Sequence, residues 1–382
     1  MVQPGDFGPF DGRAWLNCAQ QGPLPRLAVQ EAQRAIAEKI APARMAEDEF
    51  QRVPRRLKQA LAHFIGARPE AIVLGNSTSY GLQKIANGLD WRDGDEALVV
   101  RGDFPASVLP WYTIERRGAK VRFIQPSGPA LAAAEVEAAL TPRTRVVCAT
   151  WVNSFNGWTL DLEAVGRVCR RCGALLVLNA AQAIGARPFQ IAGDGAEAPA
   201  DAVVACGYKW LCGPYATGFA WISPRLLDQL TPDQVNWGAM QQGRTLDQMR
   251  DFELRSDLGA VALDVFCTGH FQSFAPWAAA VEYLGQFGSR AIADYDQQLV
   301  ERFAAGLDSR RYSLLSPRQG DARSTLIVIS HRERARNPGL HQQLAAEGVD
   351  ISLREGNLRL SPHLYNTASE IDRALDLLHR LA

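Results

Sequence analysis

Between residues 71 and 222 the chain alternates short apolar runs with amphipathic stretches. The runs are AIVLG (71–75), EALVV (96–100), KVRFI (120–124), RVVCAT (145–150), ALLVLN (174–179), DAVVAC (201–206) and GFAWI (218–222). Residues 78–89, 106–117, 130–140 and 161–172 read as the helices between them. Runs that are apolar along their whole length suit strands covered on both faces. The pattern therefore predicts an α/β fold: a mostly parallel seven-stranded sheet with helices on both faces. Such sheets carry ligands beyond the carboxyl ends of their strands, so the chemistry is expected just after the runs.

The flanks read differently. The opening is loop-like, with Gly5, Gly8, Pro9 and Gly12, and helices are predicted over 26–40 and 45–65 with Pro42 between them. A long helical region covers 259–306, interrupted at Pro276 and Gly285. A small α+β unit follows, with strands near 325–330, 350–354 and 357–361 and helices at 337–347 and 367–381. The expected domains are a large α/β domain over 16–258 and a small one formed by 1–15 with 259–382.

Composition narrows the function. At 382 residues the chain can bury a large core, and its 41 basic and 41 acidic residues cancel. A nucleic-acid binder would show a basic excess, so no nucleic-acid partner is expected. No apolar run reaches the roughly 18 residues a membrane span needs, so no membrane partner is expected. The N-terminal MVQPGDFGPFDGRAWLN does not read as a signal peptide. Seven scattered cysteines suit reduced thiols, and the expectation is a cytoplasmic protein. Cys169 and Cys172 form one CxxC inside a helical stretch. With no second pair they read as helix thiols, and no metal is expected.

Lysine is scarce: the chain has only Lys39, Lys58, Lys84, Lys120 and Lys209. Lys209 follows a buried-strand pattern and sits among Cys206, Gly207, Trp210, Gly213 and Gly218. A lysine in an apolar pocket has its pKa lowered and can act as an amine nucleophile, although lysines also reach out to solvent readily. In GNSTSYGLQKIANGL (75–89), Thr78 and Ser79 stand where a strand gives way to a helix. Free amides and the helix dipole favour an anion there, and a simple helix cap uses the same residue types.

The segment around Lys209, with Lys-Trp-Leu-Cys-Gly-Pro ahead of a glycine and an apolar strand, resembles the cofactor-lysine segment of class V aminotransferases. The likeness includes the cysteine desulfurases and isopenicillin N epimerase-like members of that family. It implies the fold type I architecture and pyridoxal 5'-phosphate as cofactor. Further segments match in order. The 75–89 turn resembles the phosphate-binding turn, which gives Thr78 and Ser79 that role. GDFPASVLPW (102–111) resembles the segment whose side chain stacks on the pyridine ring, here Phe104. LVLNAAQAIGARP (176–188) resembles the strand-end motif Asp-x-x-Gln followed by glycine and proline. Gln182, Gly185 and Pro188 fit, Gln182 being expected to bond the ring's 3'-oxygen, but Asn179 stands where the family has its aspartate. WVNSFNGWTLDL (151–162) offers Asn153 or Ser154 toward the 3'-oxygen. Tyr208 is counted among the cofactor contacts. FCTGHF (266–271) gives Thr268 for the neighbouring subunit's phosphate, with Ser256 as its rival. LREGNLRLSPHLYNT (353–367) resembles the substrate-carboxylate motif, with Arg359 at the clamp and Arg354 as a weaker candidate. The resemblance implies a homodimer with shared active sites and an amino acid as substrate.

Two departures refine the expected chemistry. Cysteine desulfurases of the family carry a nucleophilic cysteine shortly upstream of the clamp arginine, whereas the last cysteine here is Cys267. A persulfide mechanism is not expected. A neutral Asn179 also cannot hold a proton on the ring nitrogen as a carboxylate does, which weakens the electron sink. β-Elimination leans on that sink less than transamination or epimerisation does. The expected activity is therefore a C–S lyase acting on an S-substituted cysteine, with Lys209 as the base at Cα. The alternatives are an aminotransferase or epimerase of an amino acid, or a decarboxylation-coupled deamination of an S-substituted cysteine. A cofactor-free relative is disfavoured by the joint retention of Lys209, the hydroxyl turn and Arg359.

Overall fold

The structure, a computed structural model, describes residues 2–3, 5–46, 48–191, 197–231, 239–240, 250, 253–266 and 270–381. It opens with β1 (Ala14–Trp15), α1 (Arg26–Ile40) and α2 (Glu49–Ile65). The alternating region runs β2 (Ile72–Gly75), α3 (Thr78–Gly88), β3 (Glu96–Val100), α4 (Pro105–Val108), β4 (Lys120–Ile124), α5 (Ala133–Ala139), β5 (Thr144–Thr150), α6 (Leu162–Arg171), β6 (Leu175–Asn179), β7 (Ala202–Cys206) and β8 (Gly218–Ile222). After α7 (Pro224–Leu227) come α8 (Phe271–Gly285) and α9 (Gly288–Gly306). The chain closes with β9 (Tyr312–Leu314), β10 (Ile327–His331), α10 (Asn337–Ala346), β11 (Val349–Asp350), β12 (Ser352–Arg354), β13 (Asn357–Leu360) and α11 (Ala368–Leu381).

All seven apolar runs become strands of one sheet, ordered β2-β8-β7-β6-β5-β3-β4. Only β8 runs against its neighbours; the remaining pairings are parallel. The runs are continuously apolar because alternate residues serve two cores. Val146 and Cys148 of β5 join one with Leu82 and Ile85 of α3, while Val147 and Ala149 join the other with Val165 of α6. This covers both faces of the central strands, β6, β7 and β8 being buried throughout, whereas edge strand β4 keeps Lys120 and Arg122 at the surface. The outer edge of β2 is covered too: Leu74 N donates to Asp264 Oδ1 at 2.8 Å, and Val265 N donates to Leu74 O at 2.8 Å.

A second sheet, β12-β13-β10-β9, is antiparallel, and β1 pairs with β11 in parallel. These elements share a separate core with α9 and α11, built around Leu16, Phe303, Ile329 and Leu358. By contrast α8 packs on α1 and α2, and its Phe274 and Trp277 belong to the core of the large sheet.

The structure corrects two expectations from the sequence and adds two strands to it. The helix predicted over 106–117 is a single α-turn, α4, followed by a 3₁₀ stretch at Leu109–Arg117. Pro110 lacks the amide donor that a continuous α-helix needs there, whereas Pro105 sits at the first position of α4, where none is used. The region 259–306 is a 3₁₀ turn at Gly259–Leu263 and two helices. The break falls before Gly288, whose φ of +77° favours glycine, while Pro276 lies inside α8 rather than ending it. Strands β1 and β9 are too short to show a period in sequence.

One close approach positions the site. A Cβ on Gly218, at the start of β8, would lie 2.6 Å from the carbonyl carbon of Ser77 in the turn before α3. Gly218→Ala is expected to lower stability by about 1–3 kcal/mol, as overpacking against backbone does. Urea unfolding measures this, and an unchanged midpoint would mean that the turn shifts without cost.

Candidate active site

The carboxyl ends of β2, β5, β6 and β7 converge on one region, as a parallel sheet dictates. The β2–α3 turn supplies its first part. Ser77 is the N-cap of α3: its Oγ accepts from Tyr80 N at 3.1 Å. Capping thus falls one residue before the pair picked out in the sequence. Thr78 is buried and Ser79 exposed, both in the first turn, where amides lack intrahelical partners. Thr78 Oγ1 is buried and has no hydrogen-bond partner among the described residues. A hydroxyl left so beside free amides is suited to a phosphate oxygen.

Lys209 lies in the turn after β7 and is half-buried. Its Nζ sits 5.8 Å from the Phe104 ring centroid and 5.7 Å from that of Tyr208, and it makes no ion pair or hydrogen bond among the described residues. The turn itself is fixed by backbone. Gly22 N donates to Tyr208 O at 2.8 Å, and Cys212 N donates to Lys209 O at 3.0 Å. A Cβ on Gly22 would fall 2.1 Å from Lys209 O, so only glycine passes there.

Gln182 and His363 grip the next residue. Trp210 Nε1 donates to Gln182 Oε1 at 2.8 Å, and Gln182 Nε2 donates to Ala19 O at 3.0 Å. Gln182 therefore ties the N-terminal segment to the lysine turn and retains one N–H for a ligand. His363 Nε2 lies 3.1 Å from Trp210 O and its Nδ1 lies 2.7 Å from Asp296 Oδ2, both residues being fully buried. Both ring nitrogens face acceptors, so the ring carries both hydrogens and is an imidazolium. Burial opposes that charge, but the Asp296 carboxylate and Cys212 overcome it and lift the His363 pKa to about 10.

Asn179 closes β6, opposite Thr150 at the end of β5. It is 3% exposed, donates Nδ2 to Ser107 Oγ at 2.9 Å and accepts Ala181 N on Oδ1 at 3.1 Å. Phe104 is stacked on Phe155 with centroids 6.2 Å apart, and Asn153 Oδ1 accepts Phe155 N at 2.8 Å. Asn153 thus shapes the loop that carries Phe155 and the neighbouring Ser154.

Arg359, on β13, is 2% exposed and donates to Ser154 O at 3.0 Å. Its Nε is buried with no partner among the described residues, and no carboxylate there pairs with it. Burial, and then the charge of Arg354, pull its pKa down to about 9. A guanidinium holds its proton regardless. The cost of burying it is relieved by an anion, and a carboxylate matches its geometry. Arg354 is partly exposed and turned toward Gln20 at 3.4 Å.

Lys209, Phe104, Asn153, Asn179, Gln182, Tyr208 and Arg359 are thus linked through shared neighbours. Thr78 and Ser79 stand at the turn packed on β8. Thr268 lies outside the described residues, and its rival Ser256 is on the exposed 253–259 stretch. The sequence reading missed Ser77, Asp296, Ser107 and Thr150. The last two carry no motif of their own and matter only through contacts across the sheet.

The family model for aminotransferase class V matches residues 33–374, and the chain belongs to that family. A probable cysteine desulfurase of Methanothermobacter thermautotrophicus is 25% identical, covering 96% of this chain and 94% of the relative. Isopenicillin N epimerase of Streptomyces clavuligerus is 26% identical over the same shares, and kynureninase of Pseudomonas fluorescens is 25% identical over 96% and 89%. Among solved structures, C-DES with glycine covalently linked to its PLP cofactor aligns with a TM-score of 0.88 at 21% identity, covering 99% of both chains. The cystine C–S lyase C-DES in complex with its product cysteine persulfide aligns with a TM-score of 0.85 at 21% identity, over 96% and 97%. The fold is the type I fold of PLP enzymes, and the protein is a pyridoxal phosphate enzyme acting on amino acids.

The residues present fit that cofactor. Thr78, Ser79 and the first amides of α3 would hold the phosphate, Phe104 would cover the ring, Asn179 would meet its nitrogen and Lys209 would bind its carbonyl carbon.

The Asp296–His363 pair makes its own prediction. The folded imidazolium keeps its proton to about pH 10, against an ordinary value of 6.5. Its contribution is complete below about pH 6.5 and is lost as pH rises through 10. His363→Phe strands a buried carboxylate and is expected to cost about 3–5 kcal/mol at neutral pH. Unfolding measured from pH 6 upward is expected to show the wild-type advantage shrinking toward alkaline pH. A constant gap would remove the charge from the explanation.

Proposed function

We propose that this enzyme is a C–S lyase that carries out β-elimination on an S-substituted cysteine. The observation that carries the reading is Asn179: a buried neutral amide, held by Ser107 and Ala181, stands where the family has a carboxylate. When bound, the cofactor draws electron density from Cα. Arg359 holds the substrate carboxylate, and the Lys209 amine takes the Cα proton. The Cα–H pair forms the Cα–Cβ double bond as the Cβ–S bond breaks, its electrons leaving with sulfur as a thiolate. The three-carbon remainder departs as 2-aminoacrylate and hydrolyses to pyruvate and ammonium. Expelling a good leaving group asks less of the ring than transamination or epimerisation, which suits the neutral residue at 179.

Two further observations support this reading. A cleft of about 420 Å³ is lined by Phe10, Trp15, Pro23, Leu24, Tyr215 and Tyr208, the residue before Lys209. Its aromatic walls suit an apolar substituent on sulfur better than free cysteine. No cysteine follows Cys267, so the stretch before Arg359 offers no thiol to receive sulfur, and we propose that the enzyme is not a cysteine desulfurase. We further propose a homodimer with shared sites in the cytoplasm. Exposed Leu109, Tyr112, Tyr215 and Phe266 offer an apolar surface for a second copy. Of the seven cysteines, the six among the described residues are free and five of those are buried, which suits a reducing compartment. No helix of the described residues is long and apolar enough to cross a membrane.

The test is product analysis with S-benzylcysteine and cystine. Pyruvate, ammonium and the released thiol or persulfide are expected in equal amounts. Alanine with sulfide from free cysteine, or amino transfer to a keto acid without pyruvate, would sink the lyase reading. Arg359→Lys keeps the charge but loses the planar fork, and is expected to raise KM roughly 10- to 100-fold with a smaller effect on kcat. An unchanged KM would remove Arg359 from the carboxylate site.

A further inference from the structure

Behind Asn179 runs a chain of hydrogen bonds that ends on a carboxylate. Asn179 Nδ2 donates to Ser107 Oγ at 2.9 Å, Ser107 Oγ and Thr150 Oγ1 are 2.8 Å apart, and Thr150 Oγ1 donates to Asp103 Oδ1 at 2.5 Å. Ser107 is fully buried. Asp103 is held by two more donors, Phe104 N on Oδ1 at 2.6 Å and Thr150 N on Oδ2 at 2.9 Å.

The direction of this chain is fixed at both ends. At one end Ala181 N can only donate, so the atom facing it is Asn179 Oδ1 and the atom facing Ser107 is Nδ2. Ser107 Oγ therefore accepts from Asn179 and has its own hydrogen to give. At the other end the Asp103 carboxylate can only accept, so the Thr150 hydrogen goes to it, and Thr150 Oγ1 is left to accept from Ser107. Every hydrogen in the chain points from Asn179 toward Asp103. Such a chain polarises each member. It leaves the Asn179 carbonyl more electron-rich, with one lone pair beyond the one Ala181 uses.

We propose that Asp103 is the carboxylate that serves the ring nitrogen in this enzyme, acting through Thr150 and Ser107 on the Asn179 amide. Asp103, Thr150 and Ser107 are positioning residues: they fix which end of the amide is presented and raise its capacity to accept a ring N–H. The arrangement also makes Asn179 specific. An aspartate at 179 would need the Ser107 hydrogen for itself. Thr150 has only one hydrogen, already committed to Asp103, so the Ser107–Thr150 contact would be left with none. The proposal rests on the cofactor and is independent of which substrate is cleaved.

The experiment loads the whole enzyme with pyridoxal phosphate labelled with 15N in the ring and follows the nitrogen chemical shift against pH. In Thr150→Val, which keeps the backbone bond to Asp103, and in Ser107→Ala, the ring nitrogen is expected to lose its proton at a pH lower by roughly one unit, a tenfold change. Thr150→Ser, which restores the hydroxyl, is expected to titrate as the wild type does. The double variant Thr150→Val/Ser107→Ala is expected to shift no further than either single one, since both cut the same path. If Thr150→Val and Ser107→Ala leave the ring nitrogen where it is in the wild type, whatever they do to thermal stability, the relay is structural only and the proposal falls. A failed lyase assay with an intact nitrogen shift would fault the substrate and not the relay.

Discussion

The Trp210 carbonyl is where the two parts of the protein are locked together. Asp296 comes from α9 and His363 from the loop after β13, both in the C-terminal unit. Their charged pair ends on the backbone next to Lys209. Gln182 holds the Trp210 indole from the large sheet, and through Ala19 it also holds the N-terminal segment. A buried charge pair is a poor source of net stability, because desolvating two ions costs about as much as their attraction returns. Its worth lies in geometry. Three chain segments distant in sequence must meet correctly before His363 finds both acceptors, so the pair fixes the height of the lysine turn above the sheet. Gly22 and Gly185 complete the lock, since a Cβ on either would collide with the Lys209 or Trp210 carbonyl at 2.1 or 2.5 Å.

The charges around that turn divide into two kinds. His363 and Lys58 are buried beside carboxylates, Lys58 lying 2.8 Å from Asp264. Arg359 is buried just as fully but faces a carbonyl, with Arg354 adding charge of the same sign. The first kind is satisfied by the fold. The second is satisfied only by something that arrives, and the same holds for the Thr78 hydroxyl at the other end of the site. On the proposed roles, an anion at each end with the Lys209 amine between them would match a ligand with a phosphate, a reactive carbon and a carboxylate. That is the outline of pyridoxal phosphate joined to an amino acid.

The sheet was legible because both faces of its central strands are buried, which leaves largely apolar runs of five or six residues in the sequence. The 106–117 segment reads as a helix because its apolar residues recur at helical spacing, while Pro110 denies it a hydrogen bond inside that span. Candidate site residues were legible where one residue stands at a fixed offset from a strand end, as Lys209, Asn179 and Gln182 do. They were not legible where function arises between segments. Nothing in Ser107, Thr150 or Asp296 distinguishes it from other serines, threonines and aspartates until β5, β6 and α9 bring them to their partners. Ser77 was missed for a local reason: with Ser77, Thr78 and Ser79 in a row, only the backbone geometry shows which hydroxyl caps the helix.

The exchange of a carboxylate for an amide at Asn179 then takes on a different meaning. A carboxylate in direct contact with the ring nitrogen interacts strongly with a proton there, because the charges are adjacent and shielded from water. Moving the charge back to Asp103 and transmitting it through two hydroxyls and an amide weakens that interaction without abolishing it. Asn179 would offer the bound ring an oriented acceptor without a full charge, and electron withdrawal from Cα would be weaker. For a reaction in which the departing sulfur itself takes the electron pair, strong withdrawal by the ring is not needed. It would also stabilise the carbanion long enough for reprotonation or transamination to compete. A weaker sink therefore favours elimination over those outcomes. On the proposed reading Asn179 would be part of the selectivity for elimination, and Asp103 would supply the degree of activation that reaction still requires.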